Sequence, residues 1–265
     1  MPADWKDGQD AVLLALVSTV PSITGWRPNA WQDALGSLDR DLNALLSDPE
    51  PTLASLVLIV HAPPLIEPKV FFLVSAFPVI LTSIQSNIGL DTSLATLLRV
   101  LCVTQTPQTE LPAHIIISLT ALLPYLCSAH PDASTRHIAF RILARVLQIA
   151  PPMLRLQVLC DLISPSEDTS PNMRTAAIGL VKDSVLEALS HPKIENVFAL
   201  PILLQTIGPH IFSLDSPGLL AAIGGVDALK DSPEPARLVE CLGLYYILLL
   251  RDVENRVRAV ALYLS

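Results

Sequence analysis

Along most of the chain, apolar residues return every three or four positions, as one face of an α-helix requires. The strict apolar–polar alternation of a half-buried strand is scarce. Prolines divide this pattern. The chain has 23 of them, and most fall between periodic runs, where Pro stops one helix and suits the first turn of the next. The spacing predicts about thirteen helices. They run near Asp4–Val20, Pro28–Ser47, Pro49–Ala62, Glu67–Ser86, Thr92–Val103, Pro112–Ala129, Pro131–Ala150, Pro152–Ile163, Pro171–Ser190, Val197–Phe212, Ser216–Ala228, Pro233–Leu250 and Val253–Leu264. Oxygen side chains that can accept an orphan backbone N–H mark three starts: Asp91, Ser170 and Asp215-Ser216.

Helix, short loop, helix, repeated without strands, has two common solutions: a globular bundle or a solenoid of helix pairs. An internal echo favours the solenoid. Pro131, Arg136 and Ala139 open one predicted helix, and Pro171, Arg174 and Ala177 open another, each followed by a Leu/Val/Ile face. Arg136 and Arg174 stand 38 residues apart, close to the HEAT/armadillo period of about 40. A third Arg-x-x-Ala, at Arg256 and Ala259, lies 82 residues beyond Arg174, about two periods on. The small Ala lets two helices approach closely, and the Arg is expected to pair with a neighbouring acid or to cap carbonyls along the stack. The fold class expected is all-α, a HEAT/armadillo-like α-solenoid of antiparallel helix pairs, forming one domain over residues 1–265. Softer joints are expected near 104–112 (TQTPQTELP) and 227–235 (DALKDSPEP), where Pro, Ser and charge break the pattern.

Composition sharpens this picture. Apolar residues make up 51% and charged residues 16%, so a packed core can offset the ordering entropy that leaves polar chains disordered. A mean hydropathy of +0.50 raises the membrane question. Val70–Leu90, Leu111–Pro131 and Asn196–Leu214 lack charge and approach bilayer-spanning length. Each is interrupted, by Pro78, by Pro112 and Pro124, or by Pro201 and Pro209, and none has a flanking Lys/Arg cluster. A polytopic membrane protein is therefore kept only as an alternative of another class. Asp4, Lys6, Asp7 and Asp10 do not form the basic start of a secretory leader. A net charge of −8 argues against binding a phosphate backbone.

Catalytic constellations are missing. The chain holds no G-x-S-x-G, H-E-x-x-H, G-x-x-x-x-G-K-[ST] or G-x-G-x-x-G. Asp39 and Asp41 flank Arg40 on a predicted helix, and Glu167 and Asp168 sit in a Ser/Thr/Pro loop, so both pairs suit solvated charge. Cys127, His130 and His137 have no further ligands at zinc spacing. Cys102, Cys127, Cys160 and Cys241 make no C-x-x-C and are expected to be buried, reduced thiols. No catalytic, cofactor-binding or metal site is expected.

The features that remain concern binding. Arg136, Arg141, Arg145 and Arg155 fall within thirty residues opposed only by Asp132. The first three form a candidate docking patch for an acidic segment, against the alternative of a solvated face or pairing between repeats. The first sixty residues lean the other way, with eight acids against Lys6, Arg27 and Arg40. Phe71-Phe72 and Tyr245-Tyr246 are adjacent pairs that place one ring of each off the core axis, and Trp5, Trp26 and Trp31 cluster near the start; most of these seven rings are expected in the core.

The segment from Leu238 to Arg256, LVECLGLYYILLLRDVENR, is similar to a helix and turn of the glomulin / Yap-binding protein / plant lateral-root-formation (ALF-type) family, which has the form L-x-x-L-x-x-L-x-x-R-D-x-E-N. Met173–Leu189 and Phe198–Phe212 resemble the family's preceding helices in order and spacing, so the resemblance covers roughly residues 111–256. It implies a HEAT-like solenoid that works by binding, with Arg251, Asp252, Glu254, Asn255 and Arg256 as a second candidate docking site. Fungal relatives imply a cytoplasmic adaptor that binds a Yap-type bZIP transcription factor in the oxidative-stress response. Animal relatives imply an inhibitor that masks the RING subunit of cullin–RING ubiquitin ligases. No nucleic acid and no membrane is expected as a partner. The family's Thr-Gly turn and further helix do not follow Asn255 here, and the apolar run Ala259–Leu264 needs a surface to pack on, so a chain cut short is the expectation at this end.

Overall fold

Helix starts in this chain are set by Pro and by short oxygen side chains, and each fixes where the next helix can begin. In a computed structural model, residues 51–61, 70–103, 111–164, 170–191, 196–212 and 233–257 are described. They form α1 (Leu53–His61), α2 (Val70–Ser86), α3 (Leu90–Val103), α4 (Ala113–Ala129), α5 (Ala133–Ile149), α6 (Pro152–Ile163), α7 (Pro171–Ser190), α8 (Ile202–Ile211) and α9 (Glu234–Arg251). A single 3₁₀ turn, Val197–Ala199, precedes α8. The expected helices Asp4–Val20, Pro28–Ser47 and Ser216–Ala228, the three tryptophans and most of both soft joints lie outside the described residues.

Pro152 and Pro171 occupy the first turns of α6 and α7, where a missing N–H costs nothing. Ser170 Oγ accepts from the N–H of Met173, as its position before Pro171 predicts. Asp132 caps α5 in the same way through Thr135. Four boundaries differ from expectation, one of them the helix expected from Val253, where residues 253–257 form turns. The helix expected from Pro49 starts at Leu53, where Thr52 and Ser55 exchange side chain-to-backbone hydrogen bonds. Asp91 lies inside the first turn of α3 and does not precede it. The helix expected over Val197–Phe212 is two pieces, because Leu200, preceding Pro201, takes an extended ψ of 158°.

Successive helices pair as hairpins, α2 with α3, α4 with α5 and α6 with α7. The hairpins then stack. Helices α1, α3 and α5 lie side by side in one row, α2 packs on α4, α6 on α8 and α7 on α9. One continuous core runs from Leu56 to Val257 between the rows, as an all-α solenoid requires. Fully buried Leu97, Leu101, Ile115 and Leu119 are among its largest side chains, each contributing roughly 1.5–3 kcal/mol by burial. Ala139 and Ala177 of the echo are fully buried in α5 and α7. The α2–α3 turn needs Gly89: its φ is +64°, and a Cβ would meet the Leu53 side chain at 2.9 Å. Among the described residues, no helix is long and apolar enough to cross a membrane.

Candidate functional site

The last carbonyls of a helix have no partner within it. Here arginines from elsewhere in the stack supply donors. Arg99 of α3 donates from Nη1 to Ile59 O at 2.5 Å and to Val60 O at 3.3 Å, at the end of α1. Arg145 of α5 donates from Nε to Leu101 O of α3 at 3.0 Å. Arg155 of α6 reaches Gln148 O of α5 at 2.5 Å, Arg174 of α7 reaches Ile163 O of α6 at 3.1 Å, and Arg237 of α9 reaches Ile211 O of α8 at 3.1 Å. Arg136 closes the α4–α5 corner through His130 O and Pro131 O, at 2.7 and 2.9 Å. Burial pulls the Arg99 guanidinium below its usual pKa. Arg99 and Arg237 were not singled out by sequence reasoning. For Arg99 the signal available was a lone cation within a strongly apolar helix, which has to find an acceptor.

These contacts divide the basic patch. Arg155 is buried, donating to Glu187 of α7 at 2.7 Å, with its guanidinium carbon 5.7 Å from the centre of the Phe198 ring. Arg136 and Arg145 are half-buried and engaged as above. Arg141 is exposed, with His137 one turn before it and Gln148 two turns beyond. Beside this stripe, a groove of about 280 Å³ opens between α5 and α7. Arg145 and Gln148 stand on its α5 wall, Asp183 and Glu187 on its α7 wall, and Leu147 and Leu180 line it with apolar surface. At one end Arg155 of α6 spans the two walls, pairing with Glu187 of α7 and donating to Gln148 O of α5. The arrangement offers opposite charges on facing walls, with room for a side chain or two.

The second candidate, the turn after α9, is shaped by its own residues. Asp252 is buried, and its carboxylate accepts from the N–H of Arg256 at 2.7 Å and of Val257 at 3.1 Å. Asn255 takes a φ of +55°, a left-handed conformation that Asn tolerates better than most residues. Arg256 Nε lies 3.1 Å from Glu254 Oε2. Arg251, Glu254 and Asn255 are exposed, so they are the members of this motif that a partner could touch.

Cysteine placement departs from expectation. Cys241 is buried and Cys127 and Cys160 are half-buried, but Cys102 is exposed at the end of α3. Burial pushes the Cys127 thiol up to about 12 and raises that of Cys241. Cys241 Sγ donates to Ile211 O at 3.3 Å, beside Arg237. His130 accepts from the N–H of Asp132 through Nδ1 at 3.2 Å, a turn contact. Tyr245 and Tyr246 are both exposed, and of the Phe71-Phe72 pair only Phe72 is inside. The Phe71-Phe72 pair places one ring off the core axis as expected, whereas α9 turns both tyrosines away from the core.

A family model described as an uncharacterised protein family, YAP/Alf4/glomulin, matches residues 70–261. No curated protein and no solved structure matches the chain.

Proposed function

The chain belongs to the YAP/Alf4/glomulin family, and we propose that it acts as a non-catalytic protein-binding adaptor in the cytoplasm, binding a Yap-type bZIP transcription factor in the oxidative-stress response. The observation that carries the reading is the α5–α7 groove. Its facing walls hold Arg145 on one side and Asp183 and Glu187 on the other, and Arg141 stands exposed on the same stripe of α5. A partner segment of mixed charge lies there with its acids toward Arg141 and its bases toward Asp183. Such complementarity fixes register and partner choice more than raw affinity.

Arg141 is the residue to change, because Arg145 also holds the Leu101 carbonyl. Arg141→Glu should reduce capture of a Yap-type bZIP factor from the cytosol of the source cells at least fivefold, with helicity and melting temperature unchanged. Equal capture by the variant removes the groove as the docking site. Retention of cullin–RING components in place of a bZIP factor replaces this reading with that of a ubiquitin-ligase inhibitor.

A further inference from the structure

Helix α9 is apolar on two opposite sides. One side buries Cys241, Leu244 and Leu248, where α9 packs on α7. The Lys182–Glu240 ion pair runs along one edge of that contact, and Tyr245 meets the Phe212 ring along the other, edge to face at 6.5 Å. The opposite side carries Val239, Leu242, Tyr246 and Leu249, and Val253 continues the row just past the helix end. They are 65%, 66%, 61%, 45% and 81% exposed. Leu250 and Tyr245 flank the row, also exposed. Scattered exposed apolar side chains are ordinary in soluble proteins, but a contiguous row of this length marks a surface that something covers.

A second copy of this chain fits the row. Within α9, from Val239 to Leu249, the steps are three, four and three residues, a helical stripe against which the same stripe of another helix can pack. The described chain carries such a helix in α9 itself. No charged residue lies in the seam, so two copies meet without like charges opposed. With roughly 150–250 Å² per aromatic ring and somewhat less per aliphatic side chain, the seven residues expose on the order of 700 Å² per copy. A standard interface takes about 800 Å² from each partner.

We infer that α9 is the interface of a homodimer, formed by an antiparallel α9–α9′ pair about a two-fold axis at Tyr246. This arrangement sets Val239 opposite Val253 and Leu242 opposite Leu250, with Leu249 beside Gly243, and the same patch serves both copies, as two-fold symmetry requires. The inference is independent of the groove between α5 and α7.

Sedimentation of the full 265-residue chain between about 1 and 100 µM tests it. The expected mass is twice the 28.6 kDa of one chain, and Leu242→Glu with Leu249→Glu should weaken association at least a hundredfold without loss of helicity. Tyr246→Cys should form an intermolecular disulfide under mild oxidation, because the axis brings the two positions together. A monomer at 100 µM overturns the inference, including one whose α9 amides are protected because another segment of the chain covers the seam. So does a dimer that the two glutamates leave intact. Arg141→Glu should leave the mass unchanged, which keeps the failure of either proposal separate from that of the other.

Discussion

Arg155 Nη1 and Glu187 Oε2 lie 2.7 Å apart, a guanidinium 5% exposed meeting a carboxylate 48% exposed. The two residues are therefore unequal partners. Arg155 also donates to Gln148 O and lies 3.4 Å from Ala150 O, so it closes the end of α5 as well as the gap to α7. Glu187 can turn to water when its partner is lost.

Arg155→Met should cost about 3 kcal/mol, the lower end for breaking a buried charged contact, because it strips the α5 carbonyls of their donor. Glu187→Gln should cost only about 1 kcal/mol, since an amide oxygen still accepts and the carbonyls stay paired. Urea denaturation of both variants measures the difference. Equal costs would mean that the ion pair, and not the carbonyl contacts, carries the stabilisation.

Asp252 makes a similar case for the turn after α9. Its carboxylate is the acceptor for two backbone N–H groups, that of Val257 buried. Asp252→Ala should cost about 2 kcal/mol through these unsatisfied donors. Asp252→Asn keeps one acceptor oxygen and should cost about half as much. Amide exchange at Arg256 and Val257 should accelerate in the Ala variant. Unaltered exchange would show that the turn is held by other contacts.

The resemblance that pointed to this segment rested on Arg-Asp-x-Glu-Asn, and the geometry explains part of why those residues occur together. Asp252 holds the turn, Asn255 tolerates its left-handed backbone, and Glu254 pairs with Arg256. Pro152, Pro171 and Ser170 were legible because local chemistry fixes a helix start. The 3₁₀ break before α8 was encoded by Pro201 but hidden by the continuous apolar run around it. The exposed seam of α9 was not legible. Cys241, Leu244 and Leu248 show the same three-four spacing as Val239, Leu242, Tyr246 and Leu249, and only packing on α7 decides which set is covered. The groove was hidden for a related reason: Asp183 and Glu187 lie some forty positions from Arg145 and Gln148, and only the stacking of one hairpin on the next brings them to facing walls.

Asp132 should make α5 pH-sensitive. The N–H of Thr135, then its hydroxyl, donates to the carboxylate and holds its pKa below the usual 3.8. A group with a depressed folded pKa contributes its stability above the unfolded value and loses it as the pH falls through the folded one. Asp132→Ala should therefore be less stable than the parent at pH 7, and the gap should shrink as the pH drops below about 4. Denaturant midpoints at pH 7 and pH 3 check this. A gap of constant size would assign the loss to the hydroxyl contact and helix propensity alone.

The thiols should react in a fixed order. At pH 8 a thiol with a pKa of about 12 is thiolate in about one molecule in ten thousand, whereas an ordinary thiol near 8.5 is ionised in about a quarter. Only the thiolate attacks a maleimide or a peroxide, so Cys127 should label roughly two thousandfold more slowly than an unperturbed thiol, before its limited access slows it further. Cys241 is raised by the same burial, which outweighs the nearby Arg237 charge, and it should also be slow. Cys102 is exposed and should label first in the native chain, with Cys102→Ser removing the fast phase and urea restoring reaction at the other sites. If an oxidant acts directly on this protein, Cys102 is where its first product should form. Peptide mapping after brief peroxide treatment would find it there. Earlier modification of Cys127 or Cys241 would mean that the helices around them open faster than Cys102 reacts.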